Sequence, residues 1–125
     1  MPVLASGDTV SMFGYGATPS RGATHERMHR LVGESITNPV LTISIDDDDP
    51  KTQYYIVVPN DAPGAVSNIS NQTLGRWGAT VHLLTRGNAV NVIDTGGQMA
   101  YLFVVTLYRN VSDVTVIYSW GAADS

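Results

Sequence analysis

Met99-Ala100-Tyr101-Leu102-Phe103-Val104-Val105-Thr106-Leu107-Tyr108 is the longest apolar run in the chain. It reads as the central strand of a sheet, because a continuous apolar run bounded by turns suits a strand buried on both faces. Asp94-Thr95-Gly96-Gly97 turns the chain before it, and Arg109-Asn110 to Asp113 turns it afterwards. Outward from there the pattern repeats. Val114 to Trp120 alternates apolar and polar, as do Ala89 to Ile93 and Val40-Leu41-Thr42-Ile43-Ser44-Ile45. Tyr54 to Val58 is a second continuous apolar run, and Thr80 to Thr85 is a clear strand closed by Arg86-Gly87-Asn88. Val66 to Thr73 alternates more weakly. From Pro39 to Gly121 the chain is strands and turns, about seven or eight strands at roughly ten-residue spacing. That predicts an all-β fold: an antiparallel β-sandwich, jelly roll or barrel.

The start of the chain differs. Residues 1–23 are rich in Gly, Ser, Thr and Pro, with Gly14, Gly16, Pro19 and Gly22 breaking any strand over Thr9 to Tyr15. They predict an extended N-terminal arm ahead of a single domain over residues 24–125. Thr24 to Leu31 predicts one short helix, capped by Thr24 and ended by Gly33.

Composition narrows the function classes. Only 14% of the 125 residues are charged and 43% are hydrophobic, whereas about a quarter are charged in an ordinary globular chain. Solvated faces normally carry Lys and Glu, so this deficit points to surface covered in an assembly. The net charge of -4 argues against a nucleic-acid partner. The absence of cysteine excludes disulfides and thiolate metal sites. No run reaches the roughly 18 apolar residues of a membrane span, and the first residues carry no signal-peptide pattern.

Several stretches imitate catalytic or metal motifs. His25-Glu26-Arg27-Met28-His29 has the HExxH form, in which two histidines one helical turn apart hold zinc and the glutamate activates its water. Arg27 and Arg30 intrude, Ser35 stands where a metzincin has its third histidine, and Glu34 or His82 would have to complete the set. A surface helix explains the motif better than a zinc hydrolase. Asp94-Thr95-Gly96 has the aspartic-protease form, but the 31 residues after Asp94 hold no flap pattern. A hairpin loop with Asp at the turn start and a glycine at positive φ accounts for it. Asp46-Asp47-Asp48-Asp49 offers oxygen ligands to calcium but lacks the EF-hand glycine and glutamate. It reads as a solvated acidic turn. Trp77, Trp120, Tyr54, Tyr55, Tyr101, Tyr108 and Tyr118 would make a sugar platform if exposed together, and read first as core or cross-strand pairs. His82 lies within a strand and reads as a core or interface residue. The sequons at Asn68, Asn71 and Asn110 matter only in a secreted eukaryotic protein.

Asn68-Ile69-Ser70-Asn71, Gly78-Ala79-Thr80-Val81-His82-Leu83-Leu84 and Asn91-Val92-Ile93-Asp94-Thr95-Gly96-Gly97, followed by a strand ending at Trp120, together resemble the β-modules of tailed-phage virion proteins. These modules include capsid decoration (cement) proteins, head fibres and fibre tips. The resemblance covers under half of the chain. It implies a non-enzymatic virion protein that forms homo-oligomers, trimers first, on a major capsid protein, with the arm reaching onto neighbouring subunits. No catalytic residue, cofactor or metal comes with it. A carbohydrate- or receptor-binding module is the alternative, and a small zinc hydrolase using His25, Glu26 and His29 is the third.

Overall fold

The computed structural model describes residues 3–10, 24–32, 37–59, 79–107 and 114–122. Among these residues are eight strands: β1 (Val3–Leu4), β2 (Thr24–Leu31), β3 (Val40–Ile45), β4 (Thr52–Pro59), β5 (Ala79–Leu83), β6 (Asn91–Asp94), β7 (Tyr101–Leu107) and β8 (Val116–Gly121). They form a five-stranded sheet in the order β1-β2-β7-β4-β5 and a three-stranded sheet in the order β6-β3-β8. Only β1 and β2 run parallel. The architecture is an open, sandwich-like pair of sheets rather than a closed barrel. The expected weak strand over Val66–Thr73 lies outside the described residues.

The core follows from the two-residue period of the strands. Tyr54, Ile56 and Val58 of β4 and Leu102 and Val104 of β7 meet Leu41, Ile43 and Ile45 of β3, Ile93 of β6, and Val116 and Tyr118 of β8. Partners directly opposite in an antiparallel pair share a face. The register therefore lines up Tyr54 with Val104 and Ile56 with Leu102 on the inner side. Thr52 and Thr106 continue that row, with their buried hydroxyls 2.9 Å apart. As the sequence predicts, β7 is the central strand, paired with β2 on one side and β4 on the other.

The helix expected over Thr24–Leu31 is a strand. β2 occupies that span and pairs with β7 from Thr24 opposite Leu107 to Arg30 opposite Tyr101. A helix of two turns gains little by itself, because nucleation costs more than so few bonds return. Pairing with the central strand instead gives the backbone a ladder of hydrogen bonds and lets alternate residues pack. His29 and Leu31 are buried, in register with Leu102 and the chain at Ala100, and Met28 is buried on the opposite face.

The first residues are not a free arm where they are described. Leu4 joins β2 through β1, and both Leu4 and Val10 belong to the core. A tight turn joins them. The Asp8 amide donates to the Ala5 carbonyl at 3.0 Å. The Ala5 amide donates to the Asp8 carboxylate at 2.9 Å. Gly7 sits there at φ +91, which a side chain disfavours. Beyond the turn, Gly7 donates to Val116 at 2.8 Å, Val116 to Asp8 at 3.0 Å and Val10 to Val114 at 2.8 Å. Residues 3–10 thus leave the edge of the large sheet and run along the β8 edge of the small one. Residues 11–23 of the expected arm lie outside the described residues.

Tyr118 ties the two sheets on this side. Its hydroxyl donates to the Leu4 carbonyl at 2.5 Å and accepts from the Val32 amide at 2.8 Å. The Trp120 indole packs edge-on to it, at 86° and 6.4 Å between centroids, and donates to the Val32 carbonyl at 2.9 Å.

Tyr118→Phe strips a partner from two backbone groups and should cost about 1–3 kcal/mol, read as a lower urea midpoint with an unchanged m-value. Burial raises the phenol of Tyr118 above its ordinary value; the Val32 bond opposes this and Asp8 adds to it. Burial likewise raises Tyr101, against the nearby Arg30 charge. The unfolded chain ionises at the ordinary value of 10.0 while the folded phenols hold their protons to higher pH. Their contribution is therefore complete below about pH 10 and declines as pH rises beyond it. Alkaline titration of stability should show that decline, and Tyr118→Phe should remove part of it.

Candidate functional site

The cleft and the acidic turn carry the candidate chemistry. Where the edges of the two sheets face each other on the β5–β6 side, a cleft of about 360 Å³ opens. Val58 of β4, Thr80 and His82 of β5, and Asp94, Thr95, Gly96 and Gln98 line it. The register explains the convergence. Thr80 lies opposite Val58 and His82 opposite Ile56, so both point to the inner side of the large sheet. Asp94 ends β6 opposite Val40. The fold thus brings His82 and the Asp94-Thr95-Gly96 triplet to one cleft, although they sit on different sheets.

The triplet is a turn, as its composition predicts. The Gly96 amide donates to Oδ1 of Asp94 at 2.8 Å, Gln98 donates to the Thr95 carbonyl at 3.1 Å, and Gly96 and Gly97 hold φ +64 and +85. Thr95 is buried, and both its amide and its hydroxyl donate to the Pro39 carbonyl at 2.8 Å. Asp94 is exposed and caps its own turn, and the Thr95 hydroxyl is aimed at a backbone carbonyl rather than at the cleft. The cleft can offer hydrogen bonds to a small polar molecule; Thr95 is not placed as a nucleophile there.

The HExxH reading loses its geometry. On a strand, positions 25 and 29 are separated by about 13 Å at about 3.3 Å per residue. Glu26 projects to the opposite face, where it is exposed, while His29 is buried. Two histidines one helical turn apart, the premise of a shared zinc, do not exist here. Glu34 lies outside the described residues, and His82 is on the far side of the large sheet from β2, across β7 and β4.

Asp46–Asp49 is a turn whose carboxylates serve the loop. Oδ2 of Asp47 accepts from the Tyr54 hydroxyl at 2.7 Å and Oδ1 from the Asp49 amide at 3.2 Å. Asp49 accepts from the Lys51 amide at 3.0 Å, and Asp46 from Nδ2 of Asn88 at 3.0 Å. One guanidinium nitrogen of Arg86 donates to the carbonyls of Asp49 and Thr52, the latter at 2.6 Å. Asn88 sits at φ 63, a conformation asparagine tolerates better than most residues. The turn is a fastened corner between the sheets, a role not visible in four consecutive aspartates.

The aromatic residues do not form one platform among the described residues. Tyr54 and Tyr101 are fully buried, Tyr118 nearly so, and Trp120 lies half-buried against the core. Tyr55 and Phe103 contact each other at 6.3 Å on the outer face of the large sheet. Trp77, Tyr108 and the three sequons lie outside the described residues.

That outer face is the surface the sequence did not single out. Met28, Val57 and Tyr101 form a second buried apolar cluster there, with Ala79, Met99 and Phe103 packed against it. Val81 and Leu83 extend it to the β5 edge, where they are 54% and 63% exposed. The large sheet is therefore apolar on both sides. The available signal was the unbroken run from Met99 to Tyr108, which carries large apolar groups at both parities.

Asp47→Ala removes the acceptor of a fully buried tyrosine and should cost about 1–3 kcal/mol. Asp94→Asn keeps a side-chain oxygen for the Gly96 amide and should stay within about 0.5 kcal/mol of the parent. Chemical denaturation of both variants checks the contrast.

Comparison with protein-family models, with characterised proteins and with solved structures gives no match for this chain.

Proposed function

We propose that this chain is a non-enzymatic structural protein that works by assembling, in the manner of the phage capsid decoration and head-fibre modules its strand pattern resembles. The observation that carries the reading is the apolar margin of the five-stranded sheet at β5, where Val81 and Leu83 are more than half exposed. An apolar patch on a small protein marks an interaction surface. The shortage of charge acts in the same direction, because interface centres are depleted of Lys, Glu and Asp.

In this reading the buried clusters on both faces of the large sheet hold the fold together and the exposed β5 margin holds subunits together. The mechanism is adhesive. Copies bury this margin against one another, trimers being the form the resemblance implies, and the oligomer sits on a major capsid protein of the virion.

Size-exclusion chromatography with light scattering should give an integer multiple, above one, of 13.4 kDa. Leu83→Glu, which puts a charge at a position 63% exposed on the β5 margin, should shift the protein to monomer while the far-ultraviolet circular dichroism keeps its β signature. A wild-type protein that stays monomeric at high concentration and does not co-sediment with capsids contradicts the proposal.

A further inference from the structure

The cleft between β5 and the turn after β6 gathers polar side chains that the fold itself does not use. Among the described residues, the Thr80 hydroxyl, the His82 ring and the Gln98 side-chain amide make no hydrogen bond to the protein. Oδ1 of Asp94 accepts from the Gly96 amide at 2.8 Å, and its second oxygen has no such partner. Polar side chains at the corner between the sheets are engaged by the chain. Asp47 takes the Tyr54 hydroxyl, Arg86 donates to two carbonyls, and Asn91 to three.

We infer that this cleft is a binding site for one sugar ring, held through a pair of adjacent hydroxyls. The inference goes beyond the assembly reading and does not depend on it. The free groups are mixed in kind. The second Asp94 oxygen accepts, the Gln98 amide and the Thr80 hydroxyl both donate and accept, and a neutral imidazole donates at one nitrogen and accepts at the other. Adjacent hydroxyls, each a donor and an acceptor, match such a set. Val58 lines the same cleft and offers an apolar contact to the C–H edge of the ring. Other ligand classes fit less well. An anion would meet the Asp94 carboxylate, and a simple cation would use that carboxylate alone. A flat aromatic ligand would find only the His82 ring to stack on among the lining residues.

Size and rigidity favour the same ligand. At about 360 Å³ the cleft lies at the small end of ligand sites, which run from about 300 to 1,000 Å³. It has room for one ring, with the rest of a glycan left in solvent. The groups that would hold the ring are fixed before it arrives. The Thr95 amide and hydroxyl both donate to the Pro39 carbonyl at 2.8 Å, and the Gln98 amide donates to the Thr95 carbonyl at 3.1 Å. His82 and Thr80 stand on a strand paired with β4, opposite Ile56 and Val58. A site already in place loses little to ordering when it binds. A few hydrogen bonds in a cleft open to water give a weak site, with a Kd on the order of 1 mM.

Titration of the isotope-labelled full chain with the methyl glycosides of mannose, galactose and glucose, followed by amide NMR, tests the site. At least one glycoside should move the backbone amides of Thr80, His82, Asp94, Gly96 and Gln98 along a saturating curve, while Leu4 and Tyr118 on the β1–β8 side stay still. Asp94→Asn keeps an oxygen for the Gly96 amide and puts an NH2 group in place of the free acceptor, so it should weaken binding about tenfold. Gln98→Ala removes a side chain that makes no bond within the fold and should weaken binding about fivefold. The amide spectrum of each variant shows directly that it is folded. No saturating shift with any of these glycosides at about 100 times the expected Kd overturns the site. So do shifts that cluster elsewhere, or binding unchanged in both variants. The titration does not read oligomeric state. A monomer that binds keeps the site and loses the assembly reading, and an oligomer that shows no shift does the reverse.

Discussion

The two-sided burial of β7 is the constraint on which the rest depends. Leu102, Val104 and Thr106 face the three-stranded sheet and are fully buried, while Tyr101, on the other side of the same strand, is fully buried as well. A strand apolar at both parities cannot sit at an edge or have one face in water without a large loss of buried apolar area. It therefore takes a partner on each side, β2 and β4. Both partners must then present something to two faces. β4 does so with Tyr54, Ile56 and Val58 inward and Val57 outward, and β2 with His29 and Leu31 inward and Met28 outward. The three-stranded sheet covers the inner side. The outer side holds a second buried apolar cluster, and Val81 and Leu83 on β5 are left exposed beside it, which is the basis of the assembly reading.

Polar contacts fix the remaining geometry rather than supply the main driving force. Tyr118 bridges β8 to β1 and to the end of β2, and holds the N-terminal segment across one side of the sandwich. At the other end, Asp47, Arg86 and Asn91 fasten the corner where the chain passes between sheets. Each satisfies backbone or hydroxyl groups that would otherwise be costly to bury. The 360 Å³ cleft lies between β5 and β6.

The fold class was legible because the strands with one solvated face alternate strictly and those without do not. β3 and β8 could be read from period two, β4 and β7 from unbroken apolar runs, and the Asp94-Thr95-Gly96-Gly97 turn from its residues. β2 was not legible. Thr24, Glu26, Arg27 and Arg30 supply a plausible capped helix, and the residues it turns inward include His29 rather than a clean apolar series. Its state is decided by pairing with β7, more than seventy residues away in sequence. The packing of Leu4 and Val10 was hidden for the same reason, because two isolated apolar residues in a Gly- and Ser-rich stretch carry no period. The cleft was invisible too: His82 and Asp94 become neighbours only when two different sheets stack.

The central claim is that the exposed apolar margin of the large sheet, Val81 and Leu83 on β5, is buried between copies. Hydroxyl-radical footprinting at two protein concentrations tests it most directly. Val81 and Leu83 should be oxidised readily in dilute solution and protected several-fold in concentrated solution, while Ile117, 59% exposed on the outer side of the small sheet, reacts equally in both. Equal oxidation of Val81 and Leu83 at the two concentrations, with the protein at assembling strength in the second, would contradict the account.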